Sequence, residues 1–319
     1  MMRGRGAART ALQLAGFVVG LALIAYCIYV ALRGDGAAKL KDHLAHASPW
    51  VVAGLLGTSL VSLLANGLLF WQTLRPVHRL RLRDVQFVNA MASVLNYAPL
   101  PMRLGLVARV AYHWRVDTMS IALIGAWLAA VLLNVAVIAG PATAAMPLVP
   151  LAGVPVAIVA ALLLVALALA SSRWLAARPF LARKLHGAER MVTDTRSFAI
   201  AGSYRLVDMA MWALRMPLAA MVVDAPLTFA QSATLGICAF LLSMNPLGRF
   251  GFREAAVAWI ASSLFAGSMS ASEVTTVFAQ LAIVESAAEG VIAIGFGGPS
   301  ALWCWRRAVA ARGQAADRP

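Results

Sequence analysis

VQFVNAMASVLNYAPLPMRLGLVARVAYHW, residues 85–114, is apolar enough to enter a membrane and too often broken to cross one. Pro99, Pro101, Arg103 and Gly105 fall near its middle. Proline removes a helical hydrogen bond and its ring clashes with the preceding turn. Each half is then shorter than the ~20 residues of helix that cross about 30 Å of hydrocarbon. Broken backbone at membrane depth persists only where protein or a wet cavity satisfies its polar groups. Residues 85–115 therefore predict a re-entrant helical hairpin with its tip inside the protein. The plainer alternative is an interfacial amphipathic helix followed by a loop.

A second apolar stretch, 226–267, repeats the pattern. It is interrupted at SMNPLGRFGFRE (243–254) by Pro246, Gly248, Arg249 and Gly251. Around the two hairpins lie longer apolar blocks at about 11–32, 50–73, 118–140, 151–172, 199–223 and 273–297, each long enough to span. The first follows Arg3, Arg5 and Arg9 in the manner of a signal peptide. Its apolar core, however, exceeds the roughly 7–15 residues of such a signal, so it is read as a span.

Composition agrees. Of 319 residues, 61% are hydrophobic and 13% charged, against roughly 25% charged in a soluble domain. The net charge of +14 does not point to nucleic acid, because the basic residues sit in short loops beside apolar blocks rather than on a soluble basic face. Cys27, Cys238 and Cys304 are isolated and the five histidines scattered. Neither set suggests a disulfide framework or a metal site, and no cofactor is implied. The phosphate-cradling pattern GxxxxGK[ST] does not occur, which argues against direct ATP drive from this chain.

Arginine and lysine fix the expected orientation. Twenty lie in the N-tail, in 74–117, in 173–196 and in the C-tail, against five at 33–49 and 224–272. The positive-inside rule then places both termini in the cytoplasm of a bacterial inner membrane. Each half reads span, span, hairpin, span, and three crossings per half invert the second copy. The expected fold is an all-α membrane protein of six spans and two re-entrant hairpins in an inverted-topology repeat. Residues 1–150 form the first copy, 151–298 the second and 299–319 a basic tail. The breaks resemble each other as well, PLPMRLG (99–105) beside PLGRFG (246–251). Paired broken helices in inverted repeats point to a transporter site near the midplane.

Several charges lie inside these spans. Arg205, Asp208, Trp212 and Arg215 are spaced three, four and three apart, which puts them on one helix face. Glu285 and Glu289 are stacked four apart in the last span. Such carboxylates repel unless one holds a proton or a cation intervenes, and Arg249, Arg253 and Arg205 are the candidate partners. The bland reading is an ion-pair network that only holds helices together. Ser59, Ser62, Asn66 and Thr73 form a polar stripe in the second span, a pattern more often helix-packing glue than a ligand surface. The hairpins add Asn96, Arg103 and Arg109, and Asn245, Arg249, Arg253 and Glu254. Guanidinium forks suit phosphate, although Arg103 and Arg109 at headgroup level would merely snorkel.

With these motifs in view, residues 10–298 resemble the lysylphosphatidylglycerol synthetase-type transmembrane family, the flippase module of bacterial multiple peptide resistance factors. NYAPLPMRLGLVAR (96–109), GSYRLVDMAMWALR (202–215) and NPLGRFGFRE (245–254), ahead of a glutamate-bearing last helix, carry the resemblance. Its first break is met by Pro99, Arg103, Gly105 and Arg109. Its second is met by Pro246, Gly248, Gly251, Arg253 and Glu254. The resemblance implies a lipid translocase that binds phosphate headgroups and exchanges them between leaflets. The chain departs from the full-length factors after residue 298, where only WCWRRAVAARGQAADRP (303–319) and a short lead-in follow. Aminoacylating chemistry is therefore not carried over.

In this reading Asn96, Arg103, Arg109, Arg205, Arg215, Asn245, Arg249 and Arg253 bind the headgroup. Asp208, Glu254, Glu285 and Glu289 compensate charge or couple a proton. The partner is a phospholipid, glycolipid, hopanoid or polyprenyl-linked lipid, with room for a lipid-biosynthesis enzyme or a second copy of the chain. Two other readings are a membrane-embedded transferase on a lipid carrier and an accessory subunit. The transferase reading lacks a compact acid/base cluster, since Asp35, Asp42, Asp84 and Asp117 form none.

Overall fold

A computed structural model describes residues 3–97, 104–145, 154–176, 178, 187–225, 227–242, 253–255, 257, 259–260 and 271–316. Among them the regular structure is helical: α1 (Arg3–Leu32), α2 (Gly36–His46), α3 (Pro49–Leu74), α4 (Leu82–Leu95), α5 (Leu104–Arg115), α6 (Ile121–Ala145), α7 (Val154–Ala176), α8 (Arg190–Thr193), α9 (Thr195–Val222), α10 (Phe229–Leu242) and α11 (Ala271–Ala316). The chain is an all-α membrane protein. Among the described residues three helices are long and apolar enough to cross a bilayer, Pro49–Leu74, Ile121–Ile138 and Thr275–Ala311. A fourth crossing is available if the pair Val18–Leu32 and Gly36–His46, bent by 80°, acts as one span.

Local chemistry explains the helix ends. α3 opens on Pro49, whose missing N–H costs nothing in a first turn that has no acceptor for it. The α1–α2 bend turns at Gly34, φ +59°, a left-handed backbone that glycine tolerates best. α2 occupies the stretch expected as a loop at 33–49, because GAAKLKDHLAH is mostly good helix formers. α9 is continuous for 28 residues, about 42 Å at 1.5 Å per residue, and covers the expected 199–223 span. Arg205, Asp208 and Arg215 keep it out of the apolar class. α11 runs on to Ala316, so its helix does not end with the 273–297 apolar block.

The backbone divides into two compact units, each drawing on both the 1–150 and the 151–298 stretches. The first comprises 1–62, 91–107 and 210–298. α1 packs on α2, and buried Trp212, Met216, Leu235, Phe240, Phe278 and Leu281 form its core. α10 approaches α9 so closely that a Cβ at Gly236 would lie 2.3 Å from the Trp212 carbonyl oxygen. The start of α5 meets the end of α4 as closely: a Cβ at Gly105 would lie 2.0 Å from the Ala92 oxygen, and the Gly105 N–H donates to Asn96 Oδ1 at 3.1 Å.

The second unit comprises 63–90, 108–209 and 299–319. α6 packs on α7, and α8 touches both. Leu69, Leu74, Ile124, Trp127, Met191 and Phe198 are buried in it. Trp127 Nε1 donates to the Phe70 carbonyl at 2.8 Å, joining α6 to α3.

Candidate functional site

Each unit buries its own charged cluster. In the first unit Arg215 of α9 and Arg253 meet Glu254 and two carboxylates of α11, Glu285 and Glu289. Arg215, Arg253, Glu254 and Glu285 are each no more than 2% exposed. Glu285 bridges the arginines, with Oε1 2.9 Å from Arg215 Nε and Oε2 3.3 Å from Arg253 Nη2. The Arg215 contact joins opposite charges at short range without hydrogen-bond alignment. Glu289 Oε2 accepts from Arg253 Nη1 at 2.7 Å and lies 3.7 Å from Arg215 Nη1. Glu254 Oε1 accepts from Arg253 Nη2 at 3.0 Å and from Ser286 Oγ at 2.7 Å. Arg253 also donates to Ser286 Oγ.

The Trp212 ring serves both cations, 4.0 Å from the Arg215 guanidinium carbon and 5.4 Å from that of Arg253. Ser59 of α3 accepts from Arg215 Nη1 at 3.3 Å. Among the described residues two guanidiniums thus face three carboxylates in a site nearly closed to solvent. Breaking such a pair from one side strands a buried charge, which costs about 3–5 kcal/mol.

In the second unit a polar chain links four helices. Arg205 of α9 pairs with Asp208 one turn on and donates through Nη2 to Asn66 Oδ1 at 3.3 Å. Asn66 Nδ2 donates to Asn89 Oδ1 of α4 at 3.1 Å. Arg109 Nη2 of α5 donates to the same oxygen at 2.7 Å. The Arg109 guanidinium lies 3.5 Å from the Phe70 ring centroid. Beside this chain, His113 Nδ1 meets Asp117 Oδ2 at 2.8 Å and Arg307 Nη1 meets Asp84 Oδ2 at 2.9 Å.

Sequence reasoning named Arg249, Arg253 and Arg205 as candidate partners of the α11 glutamates; in the structure Arg205 pairs with Asp208 on its own helix. Arg215, nearly three turns along, lies opposite Glu285. Arg253 pairs with both glutamates as expected. Asn96 binds the α5 backbone, and Arg109 is buried at 6% exposure where snorkelling would leave its head in water. Arg103, Asn245, Arg249, Pro99, Pro101, Pro246, Gly248 and Gly251 lie outside the described residues. Sequence reading did not single out Ser286 and Asn89. Ser286 announces itself only by lying between Glu285 and Glu289; Asn89 looks like any polar residue of an apolar arm. Among the described residues no group of three or more His, Cys, Asp or Glu side chains is arranged to hold a metal ion.

No family model, no curated protein and no solved structure matches the chain.

Proposed function

We propose that the chain is a lipid translocase of the inner membrane, moving a lipid with a phosphate or related polar headgroup between leaflets. In this reading six spans and two re-entrant hairpins form an inverted repeat, both termini are cytoplasmic, and the family resembled is the lysylphosphatidylglycerol synthetase-type transmembrane family. The observation that carries it is the burial of Arg215 and Arg253 with Glu254, Glu285 and Glu289. Insertion scales put one charge at a bilayer centre at about 2.5–3.5 kcal/mol. Five such groups are a large outlay for helix packing that apolar side chains achieve unaided. A guanidinium fork binds phosphate bidentately, and neighbouring carboxylates balance it when the headgroup is absent. Headgroups would enter at a hairpin and exchange their phosphate for these carboxylates, while acyl chains stay in lipid. Rocking of one repeat against the other would alternate access.

The test uses the full chain in liposomes containing lipids with reporter-labelled headgroups. Wild type should accelerate headgroup flipping over protein-free liposomes for at least one phosphate lipid. Replacing both glutamates, Glu285→Gln with Glu289→Gln, should slow it at least tenfold and change its pH dependence. Flipping at the protein-free rate for every headgroup would remove the translocase reading. Unchanged, pH-independent flipping in the double variant would remove the glutamates from the mechanism.

A further inference from the structure

Arg109 stands apart from the other buried arginines. It is 6% exposed, and no carboxylate pairs with it among the described residues. The acids on the surrounding elements are already engaged: Asp84 with Arg307, Asp117 with His113, and Asp208 with Arg205. Among the described residues its one hydrogen bond goes to a neutral amide oxygen, that of Asn89, at 2.7 Å. Nη1 is buried with no partner. The Phe70 face at 3.5 Å supports the cation but does not neutralise it. A guanidinium keeps its proton inside proteins, so Arg109 carries its charge at neutral pH. A charged fork held by Asn89 and Phe70, with one donor arm unspent, lacks an anion.

We propose that Arg109 is the centre of an oxyanion site whose ligand is a phosphate-type group, bound through Nη1 on the platform made by Asn89, Asn66 and Phe70. The chemistry favours a phosphate or phosphodiester. Its negative charge balances Arg109, which meets no carboxylate among the described residues, and its oxygens match the guanidinium fork. Asn66 and Asn89 hold the fork still: Asn89 Nδ2 donates to the Leu63 carbonyl at 2.9 Å, and Asn66 connects Asn89 to Arg205. A lipid headgroup and free inorganic phosphate share this chemistry. The site deepens the proposed function through the first of these sources, yet anion binding is measurable without transport.

The experiment takes the delipidated full chain in non-ionic detergent and follows its melting temperature. Three additions are compared: inorganic phosphate, a short-chain phosphatidylglycerol, and a short-chain diacylglycerol as the uncharged control. Wild type should be stabilised by at least one anion and not by diacylglycerol. The anion-dependent shift should be lost in Arg109→Met and kept in Arg33→Gln, an exposed arginine of the α1–α2 turn. Arg109→Lys keeps a charge but loses the fork, and should need at least tenfold more anion for the same shift. It also serves should Arg109→Met fail to fold. A response to inorganic phosphate assigns a free-anion ligand; a response confined to the phospholipid assigns a headgroup. No anion-dependent shift in wild type, or an equal shift in both Arg109 variants, overturns the site. Because no flipping is read, failure of the translocase assay leaves this result standing.

Discussion

At the scale of single residues, the helical spacing of Arg205, Asp208, Trp212 and Arg215 was readable before any coordinates, and all four are buried. Their partners were not. A three-residue spacing announces the Arg205–Asp208 pair, but the encounter of Arg215 with Glu285 depends on how two distant helices pack, which no local pattern encodes. Gly105 shows the same limit. Its place after the prolines suggested a hairpin break, whereas its strictest constraint is the Ala92 carbonyl, 2.0 Å from where a Cβ would stand. A carbonyl of helical backbone cannot swing away as a long side chain can. Gly105→Ala should therefore lower stability by about 1–3 kcal/mol, the usual toll of overpacking. Gly57→Ala, with nothing within 4 Å of its Cβ, should be neutral or stabilising by about 0.5–1 kcal/mol through helix propensity. Thermal melting in detergent reads both, and equal effects would deny the close approach.

At the scale of elements, hydropathy located α1, α3, α6 and α7 because long apolar runs have few alternatives to helix in a membrane. It missed α2, whose lysines and histidines look like an ordinary loop. It also stopped α11 at the end of its apolar block, because it recorded hydrophobicity and not helix propensity. The α1–α2 bend is held from α11: Gln280 Nε2 donates to the Ala31 carbonyl at 3.0 Å and to the Gly36 carbonyl at 2.9 Å. Gln280 is buried, so water cannot readily replace it. Gln280→Met keeps the volume and strands the Ala31 carbonyl, which the C-terminal turn of α1 leaves without a helical donor, at about 1–3 kcal/mol. Since about 1.4 kcal/mol is tenfold in an equilibrium, opening of the bend should rise roughly five- to 140-fold. Limited trypsin digestion at Arg33 and Lys39 should quicken accordingly, while cleavage at Arg178 should not. Equal cleavage rates in wild type and variant would show that the bend is set by α1 and α2 alone.

At the scale of the whole molecule, the open quantity is the number of crossings, and parity makes it measurable. The basic residues divide twenty against five by the expected sides, and the proposed cytoplasmic placement of both termini calls for an even number of crossings between them. Three helices meet the length and hydropathy test outright; α7 and α9 are the two whose crossing decides the topology. α7 carries only a short apolar window, Val159–Trp174, and α9 carries its charges. Three exposed positions distinguish the cases: Ala38 in α2, Arg178 after α7 and Ala310 near the end of α11. With α3, α6, α7, α9 and α11 all crossing, Arg178 and Ala310 share a side opposite to Ala38. With only α3, α6 and α11 crossing, Arg178 joins Ala38 and Ala310 alone is opposite. Cys27, Cys238 and Cys304 would first be replaced by alanine, and Ala38→Cys, Arg178→Cys and Ala310→Cys introduced singly. A membrane-impermeant maleimide on right-side-out vesicles should label Ala38→Cys and reach the other two only after permeabilisation. Labelling of Arg178→Cys in sealed vesicles would remove α7 from the spans, and with it the six-span repeat on which alternating access depends.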